Sequence, residues 1–227
     1  MQISPIATIQ SPFKEKFGIP RQPGLATSVT ATVELLPPFN TPEAVKGLEG
    51  YSHIWLLFIF SECVDKGWKA SVRPPRLGGN EKMGVFATRS PFRPNNIGMS
   101  VVRLDQINTQ AGTVSLTVSG ADLLDGTPIV DIKPYVPYSD AITDANTTVA
   151  TPVQLLELPV VFSAQAQAVL DKHDATLQRT LCGVLRCDPR PAYQRDPKRE
   201  YGLRYDHHNI RWSIREDCIE VLAIDSM

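Results

Sequence analysis

The sequence predicts an α+β chain: a mainly β first domain closed as a barrel, then a small α/β domain. Three observations predict it. Short apolar runs separated by turns recur up to residue 134 with no long amphipathic helix between them, which favours a barrel over a doubly wound sheet. No Gly-x-Gly-x-x-Gly follows a strand, so a Rossmann phosphate turn is not expected. A polar, aperiodic stretch at 139–152 then precedes two helical patterns and a hairpin. The expected boundaries are 1–138 for the barrel domain, 139–154 for a linker and 155–227 for the second domain.

In order along the chain, Ile3–Ile9 is a short apolar strand. Ser28–Leu36 alternates, with Val29, Ala31, Val33 and Leu35 on one face. Thr41 caps a short helix. Ser52–Phe60 is a continuous bulky apolar run and reads as a strand buried on both faces. Gly84–Thr88, Gly98–Leu104, Thr113–Val118 and Pro128–Ile132 are further strands. Beyond the linker, Val160 and Val161 end a strand. Ser163 and Asp174 have the side chains to cap two helices, the second carrying a stripe of Leu177, Leu181, Val184 and Leu185. Residues 188–199 form an Arg/Pro loop. Ile210, Trp212 and Ile214 alternate, as do Ile219, Val221 and Ala223, across a turn at Glu216-Asp217, which makes a hairpin.

The four cysteines lack CxxC spacing and read as buried, reduced thiols; no metal site is expected. His207 and His208, adjacent on a strand, point to opposite faces. Ile54–Phe60 is too short to span a bilayer, and the amino terminus has no basic n-region, so a soluble, cytoplasmic protein without membrane contact is expected. Net charge is −1, but its distribution is uneven. Residues 69–103 hold seven basic residues and one acid, and residues 186–215 hold eight basic and four acidic. These segments read either as an electropositive face for RNA or as solvated loops with local ion pairs.

Five runs are unusual: Phe17-Gly-Ile-Pro-Arg-Gln-Pro-Gly24, Arg73-Pro-Pro-Arg-Leu-Gly-Gly79, Gly84-Val-Phe-Ala-Thr-Arg-Ser-Pro-Phe-Arg-Pro-Asn-Asn-Ile-Gly-Met-Ser100, Asp122-Leu-Leu-Asp-Gly-Thr-Pro-Ile-Val-Asp-Ile-Lys-Pro134 and Asp188-Pro-Arg-Pro-Ala-Tyr193. In these runs the chain resembles the TsaA-like (YaeB, TrmO) tRNA methyltransferases. The resemblance implies a dimeric, S-adenosylmethionine-dependent enzyme whose cofactor site lies in a β-barrel. It also implies methylation of N6 of N6-threonylcarbamoyladenosine at position 37, in the tRNA anticodon loop. Carried over residue by residue, the cofactor contacts are Pro20, Arg21, Gln22, Arg89, Met99, Leu124, Asp125, Gly126 and Thr127. Ser61 and Glu62 also fall where the family contacts the cofactor, although this pair departs from the family's usual residues.

The chemistry is compatible. Either Arg21 or Arg89 can hold the methionine carboxylate bidentately. Gly126 permits close backbone approach to the adenine. The acceptor N6 carries a carbonyl substituent and is a poor nucleophile, so a base should help. Asp131 is the candidate base, with Lys133 beside it; the competing reading is a structural ion pair between the two. Arg190, Tyr193 and Arg195 are candidate tRNA contacts, Tyr193 as a stacking platform; here the competing reading pairs the arginines with Asp188, Asp196 and Glu200. A non-catalytic RNA-binding barrel, using Phe86, Phe92, Tyr135 and Tyr193, is the alternative function. No Ser-centred nucleophile elbow supports a hydrolase.

Overall fold

The structure is a computed structural model that describes residues 2–74, 81–110, 112–148, 153–190, 196 and 199–227. The chain divides into two compact units. A barrel unit comprises Met1–Gln10, Thr32–Val118 and Gly126–Pro152. A C-terminal unit comprises Ser11–Ala31, Ser119–Asp125 and Val153–Met227.

The elements in chain order are β1 (Ala7–Gln10), β2 (Thr30–Leu35), α1 (Pro42–Val45), β3 (His53–Ile59), β4 (Ser71–Val72), β5 (Met83–Gly84), β6 (Ile97–Gln110), β7 (Thr113–Ser119), β8 (Pro128–Pro134), α2 (Pro137–Asp140), β9 (Val160–Phe162), α3 (Ala164–Leu170), α4 (Ala175–Arg186), β10 (Tyr201–Tyr205), β11 (His208–Ile214) and β12 (Ile219–Ser226). Six strands close a barrel in the order β1-β2-β7-β6-β3-β8. Alternation fills it: Ala7, Ile9, Val33, Leu35, Ile54, Leu56, Phe58, Val102, Val114, Leu116 and Ile129 are buried.

β3 is not buried on both faces as its composition suggested. Its residues alternate between half-buried and buried, because a closed barrel encloses only one face of each strand. Inside, the ring of Phe58 lies over Gly98, where any Cβ would overlap it. Gly84–Thr88 is not a continuous strand either. β5 ends at Gly84, and Val85–Ala87 form a 3-10 turn closed by the Thr88 hydroxyl donating to the Val85 carbonyl at 2.9 Å. The proposed Thr41 cap makes no side-chain bond; Pro42 starts α1 instead.

The C-terminal unit has a four-stranded sheet, β10-β11-β12-β9, with α3 packed on β12 and β9 and α4 on β9. Both predicted caps form. Ser163 Oγ accepts from the Ala166 amide and the Asp174 carboxylate from the Thr176 amide. The sequence reading missed β10, although Tyr201, Leu203 and Tyr205 alternate with exposed residues there. The core of this unit also contains residues from far upstream: Phe13, Ala26 and Val29 are buried among Leu181, Leu203, Trp212 and Val221.

All four cysteines are unbridged. Among the described residues no group of His, Cys, Asp and Glu is placed to hold a metal ion, and no helix is long and apolar enough to cross a membrane.

Candidate active site at the barrel rim

Strand direction brings the Ser61–Glu62, Arg89 and Gly126–Thr127 segments to one rim. β1 runs antiparallel to β2 and β8, with Ala7 opposite Leu35 and Ile129. β3 runs antiparallel to β8 and β6, with Phe58 opposite Ile129 and Ile59 opposite Ile97. The ends of β1 and β3 and the starts of β2, β6 and β8 therefore share a rim. Ser61 and Glu62 follow β3 there, in a 3-10 turn over Ser61–Lys66. The run containing Arg89 leads into β6, and Gly126 and Thr127 lead into β8.

The register then orders the outer face beside that rim. Leu57 pairs with Met99 on one side and with Asp131 on the other. Paired residues point to the same face, so Met99, Leu57 and Asp131 stand abreast. A β-bulge follows Leu57 on its β8 side, the kind of irregularity that re-aims a side chain. Asp131 is paired with Lys133 at 3.1 Å and accepts from the Ile132 amide at 3.0 Å. Met99 is 55% exposed.

The Thr88–Asn96 run is braced by its own side chains. Thr88 Oγ1 accepts from the Ser90 amide, and Ser90 Oγ from the Phe92 amide. Arg93 donates to the carbonyls of Thr88 at 2.7 Å and Val85 at 3.2 Å. Asn96, buried at φ 49°, donates to the Pro91 carbonyl, and its own carbonyl receives the Phe60 amide. Held this way, Arg89 lines a concavity of about 610 Å3 with Lys69, Arg73, Lys82 and Phe92. Among the described residues no acidic side chain lines it. The Lys69 ammonium sits 4.4 Å from the centre of the Phe92 ring, a cation–π contact that places its charge at the wall. Such a donor set suits carboxylate or phosphate groups.

Asp140 accepts from the Val136 amide and from the Trp55 indole, both at 2.9 Å. Those bonds hold its carboxyl below the usual carboxylate range.

The other candidate cofactor contacts lie in the C-terminal unit. Pro20 is buried and Arg21 and Gln22 are half-buried. Arg21 Nη2 donates to the Arg190 carbonyl at 3.1 Å. Leu124 is half-buried. The Asp125 carboxylate accepts from the Ser11 amide at 2.9 Å and pairs with Lys14 at 2.8 Å. The turn it begins is not a hairpin: Gly126, at φ 74°, is followed directly by the buried Thr127 and then β8. Arg190 is held bidentately by Asp188, at 2.7 and 3.0 Å, and that hydrogen bond raises its pKa. Tyr193 and Arg195 lie outside the described residues.

The sequence reading missed Leu57, Lys69, Arg93 and Asn96. Arg93 and Asn96 lie in the run that also supplies Arg89 and differ from it only in facing inward. Leu57 had no local signal at all, since its place depends on register.

The chain matches the model of the tRNA-methyltransferase O N-terminal domain over residues 8–141 and that of the TrmO C-terminal domain over residues 156–227. It belongs to the TrmO family. It is 43% identical over 229 residues to the tRNA (adenine(37)-N6)-methyltransferase of Escherichia coli K12, covering 99% of this chain and 97% of that one. It is 48% identical over 228 residues to the putative S-adenosylmethionine-dependent methyltransferase RcsF of Pseudomonas aeruginosa PAO1, covering 98% and 96%. A crystal structure of TrmO superposes with a TM-score of 0.82 at 42% identity, covering 100% of this chain and 99% of the other. TrmO membership agrees with the barrel and with both family-model spans, and it sets aside the non-catalytic alternative.

Proposed function

We propose that the protein transfers a methyl group from S-adenosylmethionine to N6 of N6-threonylcarbamoyladenosine at position 37, in the tRNA anticodon loop. The observation that carries this reading is the row Met99-Leu57-Asp131 beside the rim where Arg89, Ser61, Glu62, Gly126 and Thr127 converge. The residues fit the cofactor. Arg89 has the fork to hold its carboxylate, Met99 and Leu57 offer apolar contact, and a carboxylate two strands away suits a nearby sulfonium. The family resemblance adds Pro20, Arg21, Gln22, Leu124 and Asp125 as cofactor contacts. When bound, S-adenosylmethionine supplies an electrophilic methyl carbon.

The protein's own part is positioning and proton removal. Lys69, Arg73 and Lys82 hold RNA phosphates beside Arg89, so that N6 is presented in line. Asp131 takes the N6 proton, with the Lys133 ammonium 3.1 Å from its carboxylate. Arg190, Tyr193 and Arg195 contact the tRNA, with Tyr193 stacking on a base. Large apolar side chains exposed on the barrel unit, among them Val64, Trp68 and Phe86, favour a homodimer. The reading places the protein in the cytoplasm, with its tRNA.

Two measurements test it. Labelled S-adenosylmethionine is incubated with tRNA carrying or lacking the threonylcarbamoyl group, and the nucleosides are analysed. Methylation of the modified tRNA alone is expected; equal methylation of both refutes the substrate assignment. Arg89→Ala loses a charge-assisted contact of about 1.5–3 kcal/mol and should weaken cofactor binding at least tenfold. An unchanged calorimetric Kd in the folded variant removes Arg89 from the site.

A further inference from the structure

The Pro20–Gln22 loop takes its shape from the C-terminal unit. Phe17 stacks on Tyr201 with ring centres 6.4 Å apart. Gly18, at φ 92°, lies against Leu203 so closely that a Cβ would overlap it. Phe17, Ile19 and Leu25 pack on the core formed by α4 and the sheet. Arg21 is tied to the carbonyl of Arg190.

That carbonyl is itself held in place. α4 ends at Arg186 with Cys187 as its C-cap, and Asp188 takes φ 49°, its amide donating to the Leu185 carbonyl at 3.1 Å. This is a helix terminus of the left-handed kind, at which Asp and Asn are tolerated. The Asp188 carboxylate then closes on the guanidinium two residues later through two hydrogen bonds. The Arg190 side chain is only 15% exposed, so most of its charge is spent inside the turn. A bidentate fork fixes direction as well as distance, and so fixes the orientation of the peptide group that Arg21 meets.

We propose that Asp188 and Arg190 are positioning residues for the cofactor loop: their clamp aims the Arg190 carbonyl at Arg21, so the C-terminal unit sets S-adenosylmethionine affinity. The inference rests on the reading of Arg21 as a cofactor contact. It makes the Asp-Pro-Arg turn part of the cofactor apparatus, distinct from any contact it makes with tRNA.

The test is calorimetric binding of S-adenosylmethionine to the full chain, with steady-state kinetics in parallel. The variants are Arg21→Ala, Asp188→Gly, Asp188→Asn, Arg190→Ala, Arg190→Lys and the double variant Arg21→Ala/Asp188→Gly. Glycine and asparagine keep the left-handed backbone at 188, so those variants isolate the carboxylate. Arg190→Lys keeps the aliphatic stem but not the fork, which covers a failure of Arg190→Ala to fold. Loss of one aimed hydrogen bond should raise Kd and the KM for S-adenosylmethionine about five- to tenfold in Asp188→Gly and Arg190→Ala. Asp188→Asn, still able to accept one bond, should fall between these and the wild type. In the Asp188 variants the KM for tRNA and kcat should stay within about twofold, a split that general loosening of the fold does not produce. Asp188→Gly should add nothing once Arg21 is alanine.

If Arg21→Ala weakens binding but the clamp variants bind as wild type, the positioning role is wrong. The same holds if the clamp and Arg21 effects add in full, or if only the KM for tRNA rises in the Asp188 variants. If Arg21→Ala itself binds normally, the underlying assignment of Arg21 falls, and the inference falls with it.

Discussion

Replacing Gly18 by alanine probes how the loop before Pro20 is seated. Two costs are expected, and each has a separate structural source. Gly18 sits at φ 92°, in the left-handed half of backbone space, where a Cβ costs roughly 1–2 kcal/mol. The new methyl would also overlap Cδ1 of Leu203, a side chain with 0% exposure and so no open space to swing into. Overpacking of a filled core typically costs about 1–3 kcal/mol. Alanine restricts the unfolded chain and returns about 0.4–1 kcal/mol, leaving a net loss of roughly 1–5 kcal/mol. Urea unfolding followed by circular dichroism and tryptophan fluorescence measures it. Leu203→Val removes the overlapping carbon, so the Gly18→Ala/Leu203→Val pair should show a favourable coupling of about 1–2 kcal/mol while the backbone cost remains. A Gly18→Ala variant within about 0.5 kcal/mol of wild type, or an additive double variant, refutes this account.

Three further outcomes are expected. Burial, and then the neighbouring His173, push the imidazole pKa of His208 below its usual value of 6.5. Folding therefore favours the neutral ring, and stability is lost as pH falls below 6.5 and on through the folded-state pKa; His208→Gln should flatten that part of the stability–pH curve, and an unchanged curve rules His208 out as its source. Ser163→Ala removes both the cap bond to Ala166 and the bond to the Leu222 carbonyl at 2.7 Å and should cost about 1–2 kcal/mol in urea unfolding, with Ser163→Gly closer to wild type. Asp131→Asn should lower kcat about 100-fold or more with little change in cofactor Kd, and full activity in this variant would leave Asp131 only its ion pair with Lys133.

Much of this molecule was legible because its signals are local. β2, β7 and β8 announce themselves by alternation and by the turns around them, and α3 and α4 by their caps. Arg89 stood out because it lies in a run too unusual to be packing. What escaped depends on distant partners. Nothing within Phe13–Val29 says that these residues pack on α4 and β10, about 170 residues later, yet Phe13 has 0% exposure there. The row Met99-Leu57-Asp131 required the register of three strands, and a slip of one residue would have turned Leu57 inward. Arg190 was legible with two readings, a tRNA contact or an ion pair with Asp188, and the structure forms that ion pair bidentately.

The interleaving of the two units has a consequence for the order of synthesis. The chain passes between them five times, at Gln10, Ala31, Val118, Asp125 and Pro152. Phe13 and Val29 leave the ribosome well before Leu203, Trp212 and Val221, which bury them. At about 5–20 residues per second the wait lasts roughly 10–40 s, during which these apolar side chains have no finished core to enter. A nascent chain halted before the sheet of β10–β12 therefore holds barrel strands whose connecting loop lacks its seat, and translation of β10–β12 completes a loop begun before β2.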